Sequence, residues 1–316
     1  MRNGLLGDEC ARRVLALFGP DGLAWLRRLP VTLAELEARW ELGQVGEPFG
    51  GARVSFVAPV ADRRGRPLVL KIVPGAGWAR AEHAALTHWA GRGCVRAIAF
   101  DAARGAILEE RADPGGTLRD APLDDRAATH VFAEVATTLR AAGAAASGLP
   151  TIETTIEHWL ASLERSPAPT GRPEVEAHAD AALPLARALL ASTDGRIVLH
   201  GDLHHGNILR RHSGGWVAID PKGIFGPAEI EPAAFLRNPR RRLLEHPDPE
   251  ALVVERTLAV SARLGYRPAR VAGWGYVLGV LAAVWAEEDA EGTDDVDRWL
   301  RCAAILENAY RTVSAA

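Results

Sequence analysis

The stretch His200-Gly201-Asp202-Leu203-His204-His205-Gly206-Asn207 runs into Ile208-Leu209, turns at His212-Ser213-Gly214-Gly215 and returns through Trp216 to Ile219-Asp220. A hairpin closing through Ser213-Gly214-Gly215 brings its two ends together, so Asn207 and Asp220 are predicted to lie side by side. Two oxygen ligands then face one cation. Magnesium prefers hard oxygen donors, keeps several waters and takes further ligands from substrate phosphates, so one amide and one carboxylate suffice. Asp202, earlier in the same loop, is left to face a nucleophile.

Those groups have a common use. In phosphoryl transfer a protein holds a metal-bound nucleotide, orients an incoming hydroxyl with a carboxylate and stabilises charge on the transferred group. The spacing from Asp202 to Asn207, with Asp220 downstream, reproduces the catalytic-loop and metal-aspartate signatures of protein kinases, His-Gly-Asp replacing His-Arg-Asp and Asp-Pro-Lys-Gly replacing Asp-Phe-Gly. Together with Ile219-Asp220-Pro221-Lys222-Gly223 and Glu231-Pro232-Ala233-Ala234-Phe235-Leu236-Arg237-Asn238-Pro239, the loop resembles the aminoglycoside phosphotransferase family, in its streptomycin 6-kinase and hydroxyurea kinase branch. The pattern covers about residues 44 to 240. The resemblance implies an α+β, bilobal protein-kinase-like fold, with an N-terminal β-sheet lobe and a larger helical C-terminal lobe. It also implies ATP-dependent phosphorylation of a small-molecule hydroxyl.

Reading outward, the segments Asp8 to Phe18 and Pro20 to Trp40 carry apolar residues at helical spacing, with Thr32 and Glu35 arranged as a capping box. Arg53 to Val60 and Leu68 to Val73 read as a hairpin, Trp78 to Trp89 as a helix stopped by Gly91 and Gly93, and Val95 to Phe100 with Ala106 to Glu110 as two more strands. Asp113-Pro114-Gly115-Gly116 breaks the pattern, and from there to about Arg196 the chain reads as helices. The expected division is a nucleotide-binding lobe over 1–112, with a helical extension over 1–42, and a catalytic and acceptor lobe over 113–316. Helices resume after the β segment that holds the loop.

Lysine usage adds a separate clue. Lys71 and Lys222 are the only lysines among 37 basic residues, and both fall in the expected nucleotide site. An ammonium acts as a compact point charge on phosphate oxygens where a planar guanidinium fits less well. Lys71 lies on the second strand, where a kinase places its phosphate-gripping lysine, and Glu82, the only acid on the following helix, is its expected partner. Gly46 to Gly51, with Gly50 near its end, sits where a phosphate-covering loop belongs. Leu108 to Arg111, containing Glu109 and Arg111, is the expected hinge whose backbone reads the adenine edge, its side chains having no required part. No GxxxxGK[ST] occurs, which excludes the usual P-loop reading.

Composition excludes several other classes. The 316 residues carry 40 acids against 37 bases for a net charge of -3, so no nucleic-acid footprint appears. Trp274 to Ala286 is too short an apolar run to span a bilayer, and Met1 to Cys10 lacks a signal-peptide core. Three scattered cysteines suit a reducing cytoplasm. No obligate protein partner is expected. His200, His204 and His205 share one short loop without a second ligand pair, which favours structure over zinc. On the acceptor side His205, Glu229 and Glu231 are candidates. Glu229 is the freer of the two acids, since the resemblance implies that Glu231 holds the loop backbone. Arg237 with Arg240 to Arg242 is read as a solvated face. Streptomycin heads the acceptors, with hydroxyurea or another small alcohol as alternatives and a catalytically silent pseudokinase as the alternative of another class.

Overall fold

The computed structural model describes residues 5–143, 149–150, 161, 172–193, 195–212, 214–288 and 293–315. The helical reading across 144–171 falls largely outside these residues, as does Ser213 of the hairpin turn.

The chain opens with α1 (Asp8–Arg39), two helical stretches that meet at a kink where Gly19 leaves helical geometry, φ 51°, as the two apolar segments predict. The expected capping box is overturned. Thr32 is buried in the helix interior, and Glu35 accepts from Arg104 Nε at 2.8 Å across to the sheet. A four-stranded antiparallel sheet follows in the order β1 (Phe56–Ala61), β2 (Pro67–Ile72), β4 (Ala106–Glu110), β3 (Ala97–Asp101). Its period of two separates the faces. Phe56, Ala58, Val60, Leu68, Leu70, Ile72, Ala106 and Leu108 bury one face against Leu29, Leu33 and Leu36 of α1. Register places Val57, Lys71 and Ile107 together, with Val69 opposite Glu109, on the face turned toward helix α2 (Ala76–Trp89). A polar lysine and glutamate therefore share the inner face with the helix that carries Glu82.

A strand the sequence did not announce, β5 (Pro114–Thr117), pairs with β7 (Ile208–Arg211), which pairs with β8 (Trp216–Ala218). Its Pro-Gly-Gly composition hides it, because short Gly-rich strands lack the β-branched signal. A second sheet pairs β6 (Arg196–Leu199) with β9 (Ile224–Pro227), although helices were expected directly after Asp220. These two small sheets hold both ends of the loop over 200–207.

Helices α3 (Asp125–Arg140), α4 (Pro173–Ala191), α5 (Ala233–Leu236), α6 (Arg240–Leu244), α7 (Pro249–Leu264), α8 (Pro268–Glu288) and α9 (Thr293–Ala315), with a 3-10 turn at Ala228–Ile230, complete the described elements. Asp124 caps α3 by accepting from Ala127 N at 2.7 Å. α8 is long and apolar enough to cross a membrane, but 83% of its apolar window is buried inside the protein, which makes it the centre of the C-terminal core. A further cluster, containing Trp89, Ile107, Phe132, Leu203, Ile208 and Phe235, joins α2 and the first sheet to the loop and to α3. It crosses residue 112, so the two lobes share packing beneath the loop.

Candidate active site

Lys71 is the hub of a buried charge cluster. Its Nζ lies 2.6 Å from Glu82 Oε1 and donates also to Asp220 Oδ1, whose other oxygen takes Lys222 Nζ at 3.1 Å. Burial alone would lower the Lys71 ammonium, but Asp220, Glu82 and Glu109 together hold it above its ordinary value. Burial would likewise raise Asp220, yet the two lysines keep it well below the usual carboxylate range. Asp220 adopts a left-handed backbone, φ 59°, uncommon for a residue with a Cβ. Such strain is tolerated where surrounding contacts fix the conformation.

Gly223 closes the turn after Asp220 at φ 63°. A Cβ there would lie 2.2 Å from the Ala81 carbonyl oxygen, so the turn rests directly on the backbone of α2 beside Glu82.

The loop is held from beneath. Glu231 accepts from His200 N at 2.8 Å and Gly201 N at 3.1 Å. Burial pushes its carboxyl up to about 7 even so. His200 is fully buried, its Nε2 2.8 Å from the Ile219 carbonyl and its Nδ1 3.3 Å from Asp202 N. Burial brings that imidazole down to about 4, so it is neutral at pH 7. Asn207 Nδ2 donates to the Asp202 carbonyl at 3.0 Å, and Ile219 N donates to the Asn207 carbonyl at 3.0 Å. The amide nitrogen is thereby committed to the loop and the hairpin end beside Asp220 is fixed. Asp202 keeps its carboxylate partly exposed, 3.8 Å from His204 Nε2.

Several expectations need correction. His205 is buried and stacked on Phe235 with centroids 4.3 Å apart, facing the core and not an acceptor. Glu229 is not free, because its Oε1 accepts from Arg270 Nε at 2.8 Å. The Glu109 side chain is far from irrelevant: it is buried beside Glu82 and Lys71, one oxygen has no partner, and burial pushes the carboxyl well above its usual range. Arg237 does not belong to a solvated face, since its Nε and Nη1 are shut off from solvent without a partner. Gly50 lies in an exposed turn, and the Arg111 guanidinium sits 5.7 Å above the neighbouring Phe49 ring.

Sequence reasoning weighed His204 only within the histidine trio and gave it no place beside Asp202. Its only signal was adjacency to Asp202 in the loop.

A helix-borne acid on a strand lysine, two lysines on one aspartate, and a second aspartate open beside them form the arrangement on which the comparisons bear. Residues 39–290 match the family described as aminoglycoside/hydroxyurea antibiotic resistance kinase. The chain belongs to that family. It is 32% identical over 282 residues to a streptomycin 6-kinase of Streptomyces glaucescens, covering 88% of this chain and 89% of that one. A hydroxyurea phosphotransferase of Kitasatospora aureofaciens is 33% identical over 217 residues, 67% of this chain and 62% of that one. Among solved structures, an amicoumacin kinase in complex with AMP-PNP superposes with a TM-score of 0.64 at 16% identity, covering 90% of this chain and 96% of that chain, a likeness of fold. This antibiotic resistance kinase family member is therefore a phosphotransferase with a hydroxyl acceptor, and it uses a nucleotide.

Proposed function

We propose that this kinase transfers the γ-phosphoryl group of ATP to a hydroxyl of an aminoglycoside, with streptomycin the first acceptor to test. The observation that carries the reading is the charge cluster in which Lys71 bridges Glu82 and Asp220 while Asp202 stands open on the same loop. In it Asp202 orients the acceptor hydroxyl and takes its proton. Lys71, held by Glu82, and Lys222 neutralise phosphate oxygens. The backbone from Glu109 to Arg111 takes the adenine edge, and the turn at Gly50 covers the phosphates. Residues 1–112 form the nucleotide-gripping lobe and 113–316 the catalytic and acceptor lobe. The free, buried cysteines Cys10, Cys94 and Cys302 suit a reducing cytoplasm.

The donor set fits magnesium. Asp220 offers a carboxylate held ionised, and Asn207 has its nitrogen engaged, which leaves its amide oxygen as the available donor. Bound by those two residues, the ion supplies Lewis-acid neutralisation of phosphate charge.

Relatives named for streptomycin support the aminoglycoside acceptor. A second reading, hydroxyurea or another small alcohol, is favoured by one observation: Glu229 and Glu231, the carboxylates expected to meet guanidinium groups, are both engaged within the protein. The complete charge set favours turnover over silent nucleotide binding. The test is magnesium-dependent ADP release against streptomycin, other aminoglycosides and hydroxyurea. Stimulation by streptomycin that vanishes in Asp202→Ala is expected. Stimulation by hydroxyurea alone moves the acceptor to the second reading, and tight ATP binding with no stimulation by any compound removes the proposal.

A further inference from the structure

The backbone of Asp202 is held from both sides. Its N–H donates to His200 Nδ1 at 3.3 Å, and its carbonyl accepts from Asn207 Nδ2 at 3.0 Å. Leu203, next in the chain, is fully buried and anchors the loop in the core beneath. These bonds leave the carboxylate itself unfixed, because the side-chain torsions of an aspartate have several minima of similar energy. Among the described residues no hydrogen bond reaches that carboxylate, and its one ion-pair contact is His204 Nε2, 3.8 Å from Oδ1. Lys222, whose charge also reaches Asp202, is committed to Asp220 Oδ2 at 3.1 Å.

The state of the His204 ring follows from its other nitrogen. Nδ1 accepts from Gly206 N at 3.0 Å. A backbone N–H can only donate, so Nδ1 carries a lone pair, the ring is the neutral imidazole and its proton sits on Nε2. An imidazolium has no acceptor and could not take this bond. Burial acts in the same direction, holding the imidazole below its ordinary pKa. Gly206 makes the seat possible, since a Cβ there would come within 3.0 Å of the ring's Cε1 and 3.3 Å of Nδ1. The ring therefore lies against bare backbone, and the nitrogen that carries its proton is the one nearest Asp202.

A neutral donor suits a base. A cation beside the carboxylate would lower its affinity for a proton, whereas a neutral N–H fixes one oxygen at a smaller cost to that affinity. Catalytic contacts are often long in a free enzyme and tighten in the complex with substrate.

We infer that His204 is the positioning residue for Asp202: its Nε2–H closes on Oδ1 from 3.8 Å to a hydrogen bond when the acceptor binds, and leaves Oδ2 to receive the acceptor's proton. The inference rests on the reading of Asp202 as the base. The acceptor O–H passes its proton to Oδ2 as its oxygen bonds to the γ-phosphorus and the bond from that phosphorus to the leaving ADP breaks. His204 keeps its own proton throughout and acts through Asp202, not on the phosphates.

The test separates the donor from the ring. Glutamine can place an N–H where histidine has Nε2–H, and asparagine, one bond shorter, cannot reach. With streptomycin and hydroxyurea assayed in parallel, His204→Ala and His204→Asn are expected to lower kcat by about tenfold to a hundredfold, the value of one hydrogen bond to a charged group. The ATP and acceptor KM values should stay within about twofold, and His204→Gln should restore most of kcat. An unchanged kcat in His204→Ala, equal losses in the Gln and Ala variants, or an ATP KM that rises with the loss each overturn the inference. Turnover that survives Asp202→Ala removes the reading of Asp202 as base and the inference with it; turnover lost in Asp202→Ala but untouched in His204→Ala removes the inference alone.

A second readout needs no turnover. In the nuclear magnetic resonance spectrum of protein carrying isotope-labelled histidine, the His204 signals, assigned by their loss in His204→Gln, should show a proton on Nε2 and none on Nδ1. Asp202→Ala should move the Nε2 resonance and leave that of Nδ1, which Gly206 holds. A proton on Nδ1, or an Nε2 resonance indifferent to Asp202→Ala, overturns the inference even where neither compound is turned over.

Discussion

The two flanks of the loop over 200–207 are built on opposite plans. On one, Lys71, Lys222, Glu82 and Asp220 are wired to each other, so every charge is neutralised before a nucleotide arrives. On the other, Asp202 keeps a partly exposed carboxylate, 3.8 Å from His204 Nε2. The difference teaches which half is generic. Every reaction of such an enzyme brings the same phosphates, so that half can be assembled in advance by the protein's own counter-charges. The acceptor half is completed by the molecule it selects.

The sharpest way to break that contrast is Asp202→Asn. Turnover should fall by about a hundredfold to ten-thousandfold, with nucleotide affinity retained; ADP release and nucleotide titration read the two separately. Comparable losses in both would mean that the flanks are not separable. Next in size is Lys71→Met, which strands Glu82, Glu109 and Asp220 in a buried site. Denaturant unfolding should show a loss of about 3–5 kcal/mol, easing as pH falls and the stranded carboxyls take up protons.

A smaller effect bears on the floor both flanks share. His200 has its folded-state pKa depressed from 6.5 to about 4, chiefly by burial. A depressed histidine contributes stability that is present above the unfolded value and is lost as pH falls through the folded one. Stability should therefore decline between about pH 6.5 and 4 by up to about a few kcal/mol, and His200→Phe should flatten that part of the curve measured by pH-dependent melting. The smallest effect is expected from Glu229→Gln. Losing the partner of Arg270 should cost about 1–3 kcal/mol of stability and leave the acceptor KM unmoved; a raised KM would return Glu229 to the acceptor pocket.

How much of this was legible in the sequence depends on how local the cause was. The loop, its hairpin and the two lysines were readable because spacing and rarity are properties of the chain itself. The separation of Lys71 from the apolar face followed from strand alternation. Glu109, His205, Glu229 and Arg237 were misjudged for one reason: whether a polar side chain is free depends on what the fold packs against it. Arg270 lies 41 residues from Glu229 in the chain, and no local pattern connects them. Strand β5 was missed because Pro114-Gly115-Gly116-Thr117 has the composition of a break, and only its partner β7 makes it a strand. Arg237 lay within the quoted segment that begins at Glu231, yet a run of arginines reads as surface until the segment is seen clamped by Arg256.

The seating of Gly223 on the Ala81 carbonyl has a consequence for control. Kinase-like folds can be switched off by swinging the glutamate-bearing helix away from its lysine. Here that helix and the turn after Asp220 touch backbone to backbone, so Glu82 and Asp220 travel as one body, with Lys71 bonded to both. Separating the pair requires breaking the backbone contact at Gly223 as well as the Lys71 ion pairs. Drawing the helix away from Lys71 therefore means lifting it off the Asp220 turn in the same movement.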